Sequence, residues 1–440
     1  MSVALRIGLA LSILTIVGGC DTWLGDQGDP PLPGDRISVL VHERDLVPDP
    51  KLVDAEIVLP PPSPTPDWPQ AGGYANHAMH HLLVGEDLKR AWRADIGSGA
   101  DDTDRLISSP IVAEGRIYTV DTETEVSAFD ATSGRNLWRV ELTPEDEDDG
   151  HIAGGLAYEN GHVYVATGFA QVVALDAATG AEVWRKKLKG PIRSAPTARG
   201  GRLFVITVDN RLTALNGKTG EVLWDHAGIT EVASLLGGGS PAVDAGVVVA
   251  PYSSGELVAL KAENGRVLWT NSLASVKRTD VVSTLSHIRG RPVIDRGRVF
   301  AVSHGGLMAA IDLRSGRRIW EKEIGGIESP WVAGDYLFTL TNNAEVICMS
   351  RKDGRIFWVS NLQRYEDEED REDPIIWSGP ILASDRLIVA GSHGEAVTIS
   401  PYTGRLLGAE ELPSGVNVAP IVAGEFVYLL SENATLSAYR

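Results

Sequence analysis

Short apolar runs recur along the chain from about residue 67 to its end, each closed by a polar turn. Residues 194–224 show the unit. SAPTA, LFVITV, LTALN and EVLW follow one another, separated by Arg-Gly-Gly, Asp-Asn-Arg and Gly-Lys-Thr-Gly. β-Branched and aromatic residues broken by Gly, Asp and Asn predict strands joined by hairpins. Third strands end near Asp130, Asp176, Asn216, Lys261, Asp312, Ser350, Ser400 and Arg440. The matching fourth-strand position falls at Trp92, Trp138, Trp184, Trp224, Trp269, Trp320, Trp358 and Gly408. A spacing of about 40 to 50 residues is that of four-stranded propeller blades. The pattern predicts an all-β chain: an eight-bladed β-propeller of four-stranded antiparallel blades over residues 68–440.

The two registers are offset. Trp92 has no three strands before it, and the last three strands have no fourth strand after them. The N-terminal strand is therefore expected to complete the C-terminal blade, covering an edge that would otherwise pair with neighbours.

One phrase dominates the repeat. ALDAATGAEVWRKKL at 174–188 returns as AFDATSGRNLWRVEL, ALNGKTGEVLWDHAG, ALKAENGRVLWTNSL, AIDLRSGRRIWEKEI and CMSRKDGRIFWVSNL. Its glycine suits a tight turn with positive φ. Its tryptophan brings a large apolar area and one N–H that needs a partner, which suits the wedge between adjacent twisted sheets. Gly408 breaks the series, so that wedge must be filled otherwise. Trp331 and Trp377 lie at first-strand positions and are expected near the ring axis.

Charge and termini place the ring. The formal net charge of −19 argues against nucleic acid, which needs a basic face. Arg6, an apolar run over 7–17 too short to span a bilayer, and Gly18-Gly19-Cys20 read as a lipoprotein signal peptide at 1–19 with lipidation at Cys20. Cys348 is then the sole remaining thiol, and no intramolecular disulfide can form. Residues 20–67 are rich in proline and predict an extended spacer, interrupted by the strand-like run 36–41 (RISVLV). Asp21 leaves open which membrane holds the anchor.

The repeated phrase and DWPQAGGYANHAMH from Asp67 resemble the repeat and entry segment of the PQQ-repeat propellers. With the lipobox, spacer and eight blades, the chain resembles the BamB-like lipoproteins of the β-barrel assembly (BAM) machine. That resemblance implies a non-enzymatic, cofactor-free scaffold on the periplasmic face of the outer membrane. Its implied partners are a BamA-type insertase and other BAM subunits. The alternative is a periplasmic quinoprotein dehydrogenase. Those enzymes resemble the chain in repeat, but typically carry adjacent cysteines that this sequence cannot supply.

The loops carry the candidate site. Turns between first and second strands are short and uniform, whereas blade-to-blade connections vary and all leave from one face, as binding surfaces on rigid frames do. By position, docking is expected from 189–194 and 276–291. The candidate residues are Lys189, Arg193, Lys277, Arg278, Asp280, His287, Arg289 and Arg291, with Arg193, Arg289 and Arg291 expected to face an acidic partner surface. The acidic runs 145–149 and 366–373 read as disordered, solvated blocks. His77, His80 and His81 have a metal-like spacing but read as a solvated loop.

Overall fold

The computed structural model describes residues 46–52, 55–147, 152–231, 233–274 and 285–440. Cys20, the strand-like run 36–41 and the candidates Lys277, Arg278 and Asp280 lie outside the described residues. Within the compact unit Val47–Arg440, eight four-stranded antiparallel sheets form an eight-bladed β-propeller. Blade 1 comprises Ile111–Ala113, Arg116–Val120, Glu125–Asp130 and Asn136–Glu141. Blades 2 to 7 repeat that plan over residues 155–187, 197–227, 242–272, 293–322, 331–361 and 377–411. Blade 8 takes Ile421–Ala423, Phe426–Leu430 and Thr435–Tyr439 from the end of the chain and Arg90–Asp95 from its beginning. Trp92 pairs with Ala438 in that joint sheet, so the ring is closed by the expected split blade.

Burial explains why the strands read as they do. Second and third strands, enclosed on both faces, are continuous apolar runs such as Leu203–Ile206, whereas outer strands alternate exposed and half-buried positions, as in Glu182–Lys187. Each outer strand slips register beside its tryptophan, or beside Gly408 in blade 7. Ala174 faces Trp184, the next pair is Leu175 with Glu182, and Val183 is left over as a bulge. A bulge re-aims the neighbouring side chain. Here it turns the indole towards the next blade, against a small residue opposite it.

The glycine and tryptophan of one phrase are not each other's partners. Gly180 packs on Trp138 of the preceding blade, and a Cβ at 180 would lie 2.7 Å from that ring. Gly220 stands likewise on Trp184, Gly265 on Trp224, Gly316 on Trp269, Gly354 on Trp320 and Gly404 on Trp358. Gly134 on Trp92 carries the series across the closure. All seven glycines hold φ between 69° and 76°, so the residue is required both by backbone and by contact. Except at Trp92, the indole N–H groups bond to the same turns: Trp138 to the Ala177 carbonyl at 3.2 Å, Trp184 to Gly217 at 2.9 Å, Trp269 to Leu313 at 2.8 Å. A tryptophan buries roughly 150–250 Å², about 4–6 kcal/mol at 25 cal/mol per Å².

The described part of the expected spacer differs from a free linker. The Asp49 amide bonds to Ile356 of blade 6, and the Val58 amide to the Tyr336 hydroxyl. From Thr65 to Leu82 the chain then makes one circuit of the ring. Thr65 accepts from Gly424 of blade 8, and Trp68 exchanges two backbone bonds with Val112 of blade 1. Pro69 accepts from Tyr158 of blade 2, while the Gln70 amide grips Ala198 of blade 3 through both its oxygen and nitrogen. Ala75 accepts from Val243 of blade 4, Asn76 from Ile294 of blade 5, His80 from the Trp331 indole of blade 6. Leu82 pairs with Leu382 of blade 7. The short inner strands present backbone groups towards the axis, and buried groups of that kind must find partners. The circuit supplies them and caps the face on which first and second strands are joined.

Two further expectations change. His77 and His81 are buried rather than solvated. His77 Nδ1 lies 2.7 Å from the Pro292 carbonyl, while His81 bonds Pro60 through Nδ1 and accepts from the Asp385 amide through Nε2. They serve different blades, and among the described residues no His, Cys, Asp and Glu cluster is arranged to hold a metal. The acidic run at 366–373 is not disordered: Tyr365–Asp367 pairs with Glu372–Pro374 as an exposed hairpin. Trp331 and Trp377 are buried inner-strand residues, Trp331 stacking on Trp68 at 6.3 Å.

Trp184→Ala should destabilise the ring by about 3–5 kcal/mol. Gly220→Ala, which drives a Cβ into the same indole at positive φ, should cost about 1–3 kcal/mol. Both are read as loss of thermal midpoint, and the double variant should cost less than their sum, because both act on one contact.

Candidate functional site

With one face capped, the axis opens on the other, where the blade-to-blade connections arrive. Seven of the eight blades contribute residues to this mouth, and Ala71 of the capping circuit forms part of its floor. The remaining cavity is about 50 Å³, the size of a few polar groups rather than of an organic cofactor.

The connection at 188–194 brings two of the candidates. Ile192 is fully buried between blades 2 and 3 and pegs the loop, helped by the Pro191 carbonyl accepting from the Val208 amide. Lys189 and Arg193 on either side of that peg stay exposed. Arg193 makes no ion pair among the described residues and stands on the rim. The connection at 285–292 brings the other three. Ile288 is its fully buried peg, and Gly290 lets it pass the Glu328 carbonyl, which a Cβ would approach to 2.5 Å.

Arg289 and Arg291 leave this loop in different ways from Arg193. Arg289 donates through Nε to the Leu236 carbonyl at 3.1 Å and through Nη1 to Glu328 at 3.2 Å. Arg291 donates from its amide and its Nη1 to Ser329 Oγ, and its stem reaches Gly72 of the cap. Its positive charge helps depress the neighbouring His77, which burial above all holds at a pKa of about 3. Arg193 is thus on the rim, Arg289 on the wall and Arg291 at the floor. The three do not form one flat cationic patch.

Glu328 is the residue that sequence reasoning missed. It is buried, and burial raises its pKa against the opposing pull of Arg289 and Arg291. A signal existed: Ser108, Ser194, Gly239, Gly290, Glu328, Ser378 and Val418 each stand two positions before a proline at the first strand of seven of the eight blades, and only Glu328 among them is charged. Among the described residues lining the mouth, three guanidiniums face this single carboxylate, so the mouth is cationic within a chain of net charge −19. Such a site attracts an anionic group and would leave a second buried cation unpaired if Glu328 were lost.

His287 buttresses the wall. Its Nδ1 accepts from the Leu235 amide at 3.1 Å, tying the neighbouring connection down. Burial first, then Arg289 and His304, lower its pKa to about 4. The folded state therefore holds a neutral ring where the unfolded chain would bind a proton from about pH 6.5 downwards. Stability is complete above about 6.5 and declines as pH falls towards 4. The protection factor of the Leu235 amide against hydrogen exchange should fall over that window, and His287→Gln, which keeps an acceptor but cannot titrate, should flatten the dependence.

Comparison with known proteins gives three kinds of match. The family model described as "Outer membrane protein assembly factor BamB" matches residues 83–147 and 122–360. The curated BamB of Moranella endobia is 24% identical over 249 residues, 57% of this chain and 62% of that protein. The BamB of Escherichia coli K12 is 26% identical over 204 residues, 46% of this chain and 50% of that protein. The chain thus spans less than two thirds of the length of these relatives. Among solved structures, BamB from Moraxella catarrhalis superposes with a TM-score of 0.67 at 18% identity, over 80% of this chain and all of that one. A quinohemoprotein alcohol dehydrogenase from Comamonas testosteroni reaches 0.64 at 15% identity, over 86% and 81%. At such identities the superpositions speak for the fold alone.

Proposed function

Because the chain belongs to the family of outer membrane protein assembly factor BamB, we propose that it is a non-enzymatic scaffold of the β-barrel assembly machine. In this reading it docks a BamA-type insertase through the open mouth of the ring. Residues 1–19 act as a signal peptide and Cys20 as the lipid anchor at the periplasmic side of the outer membrane. The observation that carries the docking site is the asymmetry of the two faces. The capping circuit occupies the axial backbone groups on one side, while the other presents cations on pegged loops. A frame whose connections are anchored by Ile192 and Ile288 holds Arg193 and Lys189 out without ordering cost at binding.

The partner group that suits the rim is a carboxylate. Arg193 has free donors in a planar fork, and the cations behind it are only half compensated by Glu328. Lys277 and Arg278 extend the positive stretch in the sequence of the connection that carries Arg289 and Arg291. The dehydrogenase reading rests on fold likeness, which is shared by the whole superfamily.

Arg193→Glu should reduce co-purification of the insertase from native membranes about tenfold or more, corresponding to at least about 1.4 kcal/mol, with little change in thermal midpoint. Arg289→Glu should both weaken binding and lower the midpoint, because it abandons Glu328. Undiminished recovery with Arg193→Glu excludes the rim as the docking site.

A further inference from the structure

The wedge between blades 7 and 8 is unlike the other seven. In six blades the tryptophan lies against an aromatic residue of its own second strand with ring centroids 5.9–6.2 Å apart, as Trp184 does on Tyr164 and Trp358 on Phe338. Blade 7 keeps neither member. Gly408 stands at the tryptophan position, opposite Thr398, and Ile388 stands at the aromatic one. Instead of being filled by other side chains, as the break in the series leads one to expect, the wedge is a cleft of about 480 Å³. Its floor is apolar, from Ile388, Ala396, Leu412 and Leu429.

The polar half of the missing contact is retained. In six of the other wedges an indole N–H bonds across to a carbonyl of the next blade. Here the Arg386 guanidinium of blade 7 spans the gap, donating to the carbonyls of Gly85 at 2.6 Å and Glu86 at 2.7 Å. The apolar half has no replacement among the described residues. Next to the cleft, Leu406 and Leu407 are 61% and 54% exposed, against 38–46% for Leu137, Val183, Leu223 and Leu268 on sister strands whose wedges are filled.

We propose that this cleft is a receptor for an aromatic side chain of a partner polypeptide, an indole flanked by basic residues. On the blade 7 side the outer strand keeps the bulged geometry that presents an indole in the sister wedges. The volume lies within the range of ligand pockets, roughly 300–1,000 Å³. A buried aromatic anchor in such a pocket is the usual centre of an interface. The flanking charge follows from the rim, where Glu86, Asp87 and Glu410 outnumber Lys89 and Arg386, and the terminal nitrogens of Arg386 already donate to the chain itself. The proposal is independent of docking at the axial mouth, which lies at the centre of the ring.

Gly408 provides the test. Its backbone is not in the positive-φ region, and a Cβ there would meet only Thr398 Oγ1 at 3.6 Å, so a side chain can be added without moving the strand. Gly408→Trp should complete the series from within. The full chain should bind indole saturably in calorimetry, and Gly408→Trp should weaken that binding by at least about tenfold while keeping or raising the thermal midpoint. Ala396→Leu, which fills the floor from the third strand, should weaken it too if the tryptophan variant folds poorly. Acetyl-Lys-Trp-Lys-amide should bind several-fold more tightly than acetyl-Glu-Trp-Glu-amide at low salt, with the gap closing at high salt. Absence of indole binding to the wild-type chain overturns the proposal, as does equal binding by both filled variants. A dimer of the wild type that Gly408→Trp dissociates would assign the cleft to a second copy and overturn it as well. Equal affinity for the two peptides removes the basic partner.

Discussion

The contact between a tryptophan of one blade and the turn glycine of the next is the joint on which the ring depends. A four-stranded sheet with one outer edge cannot bury both faces alone, so its stability lies in its neighbours. The bulged outer strand throws an indole across the gap, a glycine at positive φ admits it, and a backbone carbonyl accepts its N–H. Each of these parts is useless without the others, and each half is supplied by a different repeat. This is why the phrase must be written anew in every blade: a blade that lost its glycine would damage its predecessor, not itself. The Trp92–Gly134 ring contact carries the packing half of that joint over the closure, where the Tyr428 hydroxyl rather than the Trp92 indole donates to the next blade, at the Ala131 carbonyl.

The second constraint is on the axis. Eight inner strands converge there with backbone groups that have no further strand to pair with. Residues 65–82 meet them blade by blade on one face, using backbone carbonyls, the Gln70 amide and the buried imidazoles of His77, against Pro292, and His81, against the Asp385 amide. The opposite end of the axis is left to the connections. There Arg289 and Arg291 are drawn to Glu328, and Arg193 remains on the rim. The polarity of the molecule, one face closed by its own chain and one dressed with pegged loops, thus follows from where the leading segment happens to satisfy the strands.

The same logic makes the junction of blades 7 and 8 an exception. The turn that receives an indole in every other blade is replaced in blade 8 by the passage from Thr435–Tyr439 to a strand from the far end of the chain, and the neighbouring chain at 85–89 fills its place. No positive-φ glycine is available to admit a ring, and the opposite blade carries Gly408 in place of tryptophan. Arg386 ties blade 7 to the chain at 85–86 that leads into blade 8, while the apolar volume stays open.

Blade number, strand order and the split blade were legible from periodicity alone, because strand and turn preferences act over a few residues and the repeat multiplies a weak signal eightfold. The identity of Trp184 as packing was legible too, as was the side of the ring bearing the variable loops, since hairpin connectivity determines it. What the tertiary structure decided is which residues meet. Gly180 answers to Trp138 and not to Trp184. The last residues of the proline-rich spacer and the entry segment that follows it, residues 65–82, become the cap, because their hydrogen-bond partners lie on eight different blades. Three histidines that look like ligands diverge for the same reason. Arg289 and Arg291 read as free cations until Glu328, from another blade, turns up between them. Such contacts join residues dozens to hundreds of positions apart, and their energy depends on distance and burial, quantities that local pattern does not carry.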